Sequence, residues 1–190
     1  MNGLDKGIRK AEVALKWDPG PTGQPPADLD LVAATYLAGD PYGEPAHVVR
    51  SDSRFPDGAI RLARDSGEGK GFGWDQVMTL ELDRLDSRYA RVVVDVVIQQ
   101  RSARRTFGSV PHPALRIREG YTVLAEGDFG DVLESTAATV GEFVRDESGG
   151  WNFLPGVHGF EAGTGHRLMP RGHTSPGPEN DPDDDWPQES

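Results

Sequence analysis

The sequence predicts a mainly β chain, a sandwich or barrel assembled from many short strands. Three observations carry that prediction. Short runs of apolar and β-branched residues recur from residue 12 to residue 154. Gly, Pro and Asp punctuate those runs at short intervals, as turns demand. One run, Val92 through Ile98, is apolar on both faces except at Asp95, the pattern of a strand in the middle of a sheet.

Taken in order, residues 12–17 alternate, with Val13, Leu15 and Trp17 on one face, which is the period of a half-buried strand. Residues 18–27 are rich in Pro and Gly and form a loop. Residues 29–37 read as a strand closed by a turn at 38–43. Short strands at 47–50 and 59–63 surround the Pro56-Asp57-Gly58 turn. Further strands are expected at 77–82, 91–99, 104–107, 114–118 and 121–125. Residues 139–145 and 151–154 form a hairpin through 146–150. Residues 132–144 are also compatible with a helix. From Gly163 onward Gly, Pro and acids dominate, too little apolar surface to offset the entropy of ordering. The expected organisation is one domain over residues 1–161 and a disordered acidic tail over 162–190. Trp186 in that tail reads as a tolerated terminal aromatic or as a short docking motif for a basic partner.

Composition narrows the function. The chain has 190 residues, no cysteine and a net charge of −11. Disulfides and thiolate metal sites are excluded, which fits a reducing cytoplasm. So acidic a chain repels nucleic-acid phosphate and suits divalent cations or basic partners better. No signal peptide opens the chain, and no run approaches the roughly 18 apolar residues of a membrane span. The cytoplasm is the expected location.

The stretch with most chemistry is residues 65–76, Asp-Ser-Gly-Glu-Gly-Lys-Gly-Phe-Gly-Trp-Asp-Gln. Glycines at 67, 69, 71 and 73 let the backbone turn its carbonyls inward. Asp65 and Asp75 frame them. Calcium takes six to eight oxygen ligands, many of them carbonyls, so the loop is a candidate Ca²⁺ site. A ligand-free flexible connection is the competing reading. Nucleotide loops are excluded: Gly71 follows Lys70 where a P-loop needs Ser or Thr, and Phe72 and Trp74 break the dinucleotide fingerprint. Upstream, Asp28 and Asp30 project to one side of a strand start, and Asp52 opens the next turn. Five histidines show no zinc spacing, and no nucleophile elbow occurs. Arg101, Arg104 and Arg105 cluster in a turn that reads as solvated rather than as an anion contact. Trp17, Trp74 and Trp151 read as core or site-wall residues, with Trp74 able to cap the loop.

Several pieces, in order, resemble the tellurium-resistance TerD family of bacterial stress-response proteins. They are Lys16-Trp17-Asp18, Asp28-Leu29-Asp30, Pro56-Asp57-Gly58, the loop 65–76, the run 92–99, Phe107-Gly108-Ser109-Val110 and Arg116-Ile117. The resemblance covers roughly residues 11–161. The resemblance implies a β-sandwich of two antiparallel sheets with few short helices, and a non-enzymatic, calcium-binding role alongside other stress-response proteins. It implies carboxylate ligands from Asp28, Asp30, Asp52, Asp65 and Asp75, carbonyls from Gly69 and Gly71, and a neutral oxygen from Gln76. The chain departs from the family pattern by placing Phe72 and Trp74 where carboxylates are usual and Gln76 where Glu is usual. Lys70 and Arg64 add positive charge. A second reading follows: a metal-free interaction module in which Lys70 and Arg64 replace the cation.

Overall fold

The structure is a computed structural model that describes residues 7–51, 53–64, 73–101 and 103–162, with the backbone alone at Arg64. Among the described residues, ten strands form two antiparallel five-stranded sheets. They are β1 (Ala11–Lys16), β2 (Leu29–Leu37), β3 (His47–Val49), β4 (Ile60–Arg64), β5 (Gln76–Leu80), β6 (Tyr89–Ile98), β7 (Ala114–Glu119), β8 (Thr122–Gly127), β9 (Ala137–Arg145) and β10 (Trp151–Phe160). The first sheet runs β4-β5-β1-β7-β8 and the second β10-β9-β6-β2-β3. A mainly β sandwich, the expected class, is what forms.

Alternation places the core between the sheets. Val13 and Leu15 of β1, Met78 and Leu80 of β5 and Ile117 of β7 meet Leu29 and Leu31 of β2, Val92, Val94 and Val96 of β6 and Phe143 of β9. All are fully buried. Each such side chain stabilises the fold by about 1.5–3 kcal/mol relative to exposure. The run at 92–98 is indeed central, with β6 bonded to β2 on one side and β9 on the other. Its outward Arg91, Val93 and Asp95 are buried as well, Asp95 at 1% exposure. Gly141 in β9 has a packing role. A Cβ there would lie 2.7 Å from Phe153 Cε2 and 3.1 Å from Ile117 Cδ1.

One expectation changes and one alternative closes. Residues 104–107 are not a strand. The chain there enters a single 3-10 turn, Phe107–Ser109, and Phe107 stacks on Phe129 with ring centroids 4.4 Å apart. The aromatic is drawn into a pocket and not into a ladder. Residues 132–144 are not helical. Only the 3-10 turn Gly130–Val132 precedes β9, whose Thr139, Val140 and Val144 suit a strand held by neighbours on both sides. The arginine turn is more engaged than a solvated one. Arg104 donates to Glu134 C=O and pairs with Glu161, while Arg105 donates to Pro25 C=O. The expected disordered tail, from residue 163 onward and including Trp186, lies outside the described residues.

Candidate functional site

The predicted ligands that are described gather at one pole, where β1 ends and β2 and β5 begin. Asp75 precedes β5. Its N–H donates to Leu15 C=O at 2.9 Å, and its Oδ2 accepts the Trp17 N–H at 3.0 Å. The carboxylate thereby extends the β1–β5 ladder by one step. Trp17 in turn donates its indole N–H to Ala27 C=O at 3.0 Å, which fixes the end of the 18–27 loop beside β2.

Gln76, the first residue of β5, reaches from the first sheet to the second. Its Oε1 accepts from Leu31 N–H at 2.9 Å, and its Nε2 donates to Leu29 C=O. The reason is visible in the register. β3 pairs with β2 only at Ala33–Thr35, so the start of that β2 edge needs another partner. One amide supplies it, offering an acceptor and a donor two residues apart as a strand would. Gln76 Nε2 also lies 3.4 Å from Asp30 Oδ1.

Asp30 is 6% exposed, and its Oδ2 accepts from Gln99 Nε2 at 2.6 Å. Asp28 stands closer to solvent and pairs with Arg101 at 2.6 Å. Gln99 N–H donates to Asp28 C=O at 2.8 Å, so one residue after β6 holds both acids in place. Sequence reading missed Gln99. Its signal was the abrupt change from an apolar run to Gln99-Gln100 at the strand end. Asp75, at 2% exposure, is the second deeply buried carboxylate of this pole.

The loop segment that Trp74 reads as able to cap lies outside the described residues, and Trp74 packs against charged strand residues. Its ring lies between Lys16 Nζ at 5.0 Å and the Arg116 guanidinium at 4.7 Å from the centroid, a double cation–π contact between β1 and β7. His112, between two prolines, adopts φ 45° and its Nδ1 meets Asp18 Oδ2 at 2.8 Å, a partnered loop histidine.

Asp52, Asp65, Gly69, Lys70 and Gly71, and the side chain of Arg64, lie outside the described residues. Among the described residues no three His, Asp or Glu side chains come together as a metal site. Asp28, Asp30 and Asp75 are carboxylates, the oxygen type that hard cations take, and Asp30 and Asp75 are withdrawn from water. These three alone do not complete a calcium shell, so such an ion would need oxygens from the glycine-rich loop. No helix among the described residues is long and apolar enough to cross a membrane.

Comparison with known proteins agrees with the arrangement. A TerD domain model matches residues 2–167. The chain is 30% identical over 164 residues to a tellurium resistance protein TerD of Serratia marcescens, covering 82% of this chain and 83% of that one. It is 73% identical to SAV2460, a protein of unknown function whose crystal structure superposes with a TM-score of 0.81 over 83% of this chain and 92% of the other. A TerD homologue from Streptomyces coelicolor A3(2), SCO6318, is 46% identical, with a TM-score of 0.80 over 82% of this chain and 92% of its own. With the match spanning most of the sequence and both sheets, the chain belongs to the TerD domain family.

Proposed function

We propose that this protein is a non-enzymatic calcium-binding module of the tellurium-resistance type, acting in a cytoplasmic stress response with other stress-response proteins. One observation carries the reading. The start of β2 and the closing end of the glycine-rich loop converge through Gln76, bringing the buried Asp30 and Asp75 carboxylates to one pole. Asp28, Asp30 and Asp75 would supply carboxylate oxygens, joined by Asp52, Asp65 and the carbonyls of Gly69 and Gly71. The ion's contribution would be structural: positive charge that relieves clustered carboxylates and fastens the loop to the sandwich.

Calorimetric titration and thermal melting with CaCl₂ test this. Saturable binding in the range of roughly 10⁻⁶ to 10⁻³ M is expected, with melting raised accordingly. Asp75→Asn and Asp65→Asn should abolish the shift. A metal-free interaction module is the second reading, favoured by the guanidinium already on Asp28 and the amides already on Asp30. Under it, millimolar Ca²⁺ leaves melting unchanged, and Lys70→Ala destabilises the metal-free protein.

A further inference from the structure

The opposite pole, where β1 begins and β5 ends, holds a half-open cleft of about 220 Å³ lined by Ile8, Leu82, Leu85 and Trp151 together with the charged Arg9 and Asp83. Arg145, the last residue of β9, lies against the Trp151 ring at 4.7 Å from its centroid. One guanidinium N–H goes to Leu85 C=O at 2.8 Å. Arg145 Nε is buried without a hydrogen-bond partner, and so is Trp151 Nε1. Such orphaned donors are rare in folded proteins because desolvating an N–H without an acceptor is costly.

The neighbouring acids do not serve them. Asp83 pairs with Arg9 at 3.2 Å, and Asp86 accepts the Arg88 N–H at 2.9 Å. Asp146 is occupied by its own turn, accepting from the Ser148 and Gly150 N–H groups and from Asn152. Burial lowers the pKa of Arg145 from its ordinary value, with the Asp86 charge acting in the other direction. The cleft therefore holds a guanidinium Nε–H and an indole N–H that none of these acids serves.

We propose that this cleft binds a small oxyanion, with Arg145 supplying the charge and the Trp151 indole N–H a second donor. A ligand that satisfies donors must bring acceptor oxygens. Guanidinium is the side chain whose fork matches phosphate or carboxylate. A cavity smaller than drug-sized pockets of about 300 Å³ and above selects a small ion. The two nitrogens are shielded in the structure, so binding should move the Arg145 side chain. The site lies at the other end of β1 and β5 from Asp75 and Gln76 and does not rest on the calcium reading.

The test is an NMR titration of the ¹⁵N-labelled full chain with sodium phosphate, and separately with sodium acetate, each against NaCl at matched ionic strength. Expected are saturable shifts of the Trp151 indole and Arg145 Nε–H signals and a raised melting temperature. The salt that saturates at lower concentration identifies phosphate or carboxylate as the ligand chemistry. Arg145→Gln should weaken binding by about tenfold or more, the equivalent of one charged hydrogen bond. Trp151→Phe assigns the indole signal and should weaken binding less. Shifts that grow linearly and match NaCl for both anions in the wild-type protein overturn the proposal, whatever the variants do. So does equal affinity in a folded Arg145→Gln protein.

Discussion

Gln76 takes the Leu31 N–H on its oxygen and gives an N–H to Leu29 C=O, so both polar ends of one side chain are used on the β2 edge. A carboxylate has no N–H to give. Gln76→Glu should leave Leu29 C=O unpaired and set a negative charge beside Asp30, costing about 1–3 kcal/mol near neutral pH. Part of that loss should return on acidification, because a protonated Glu regains a donor; urea denaturation at two pH values reads both effects. Asp95 tells a similar story on the outer face of the second sheet. It accepts the Thr139 hydroxyl at 2.7 Å, near the Arg91–Glu142 ion pair. Burial pushes its pKa up from 3.8 to about 7, opposed by the Thr139 bond, while Glu142 raises it and Arg91 lowers it. Below about pH 3.8 the folded and unfolded chains both hold this proton. Between 3.8 and about 7 only the unfolded chain releases it, so stability falls as pH rises and the loss is complete above about 7. Asp95→Asn should remove this slope and be more stable than wild type at pH 8 by an amount on the order of a few kcal/mol. An unchanged gap between the two proteins at pH 5 and pH 8 would mean that Asp95 is already ionised in the fold.

At the scale of elements, β6 is the strand the sandwich can least do without, since β2 and β9 both hydrogen-bond to it. Val94 is completely buried on its inner face. Val94→Asp should cost several kcal/mol or prevent folding, as an unpaired buried carboxylate does, and circular dichroism with thermal melting will register it. Most strands were legible in the sequence because alternation and turn residues are local signals. Residues 104–107 misled because Phe107 looks like a strand residue, while its actual partner, Phe129, lies across a distant turn. Residues 139–145 read correctly as a strand, and the helical alternative over 132–144 stayed open because Gly141 and the bulge at the β6–β9 pairing interrupt the period of two. Neither fact can be read from neighbours in sequence.

Across the whole molecule, the acids of the candidate site were legible as residue types, and their companions were not. Asp30 is held by Gln99, Asp75 by the backbone of Trp17, and β2 by Gln76, all partners distant in sequence. Only the closing of two sheets brings them together. The described core runs from Ile8 to Val157. A chain ending at Gly163 is therefore expected to melt with the full-length protein, and a clear fall in melting temperature would show that later residues dock on the sandwich. The strand order also governs how the fold can be reached. β1 sits at the centre of its sheet between β5 and β7, and Lys16 faces Ala114. No local hairpin can form this centre, so β1, which precedes both of its partners in the chain, must wait for them. At roughly 5–20 residues per second, that wait is on the order of ten seconds. During it, a short apolar segment with two unpaired edges stands exposed to other chains, and this makes nascent β1 the natural place for a holding chaperone to act.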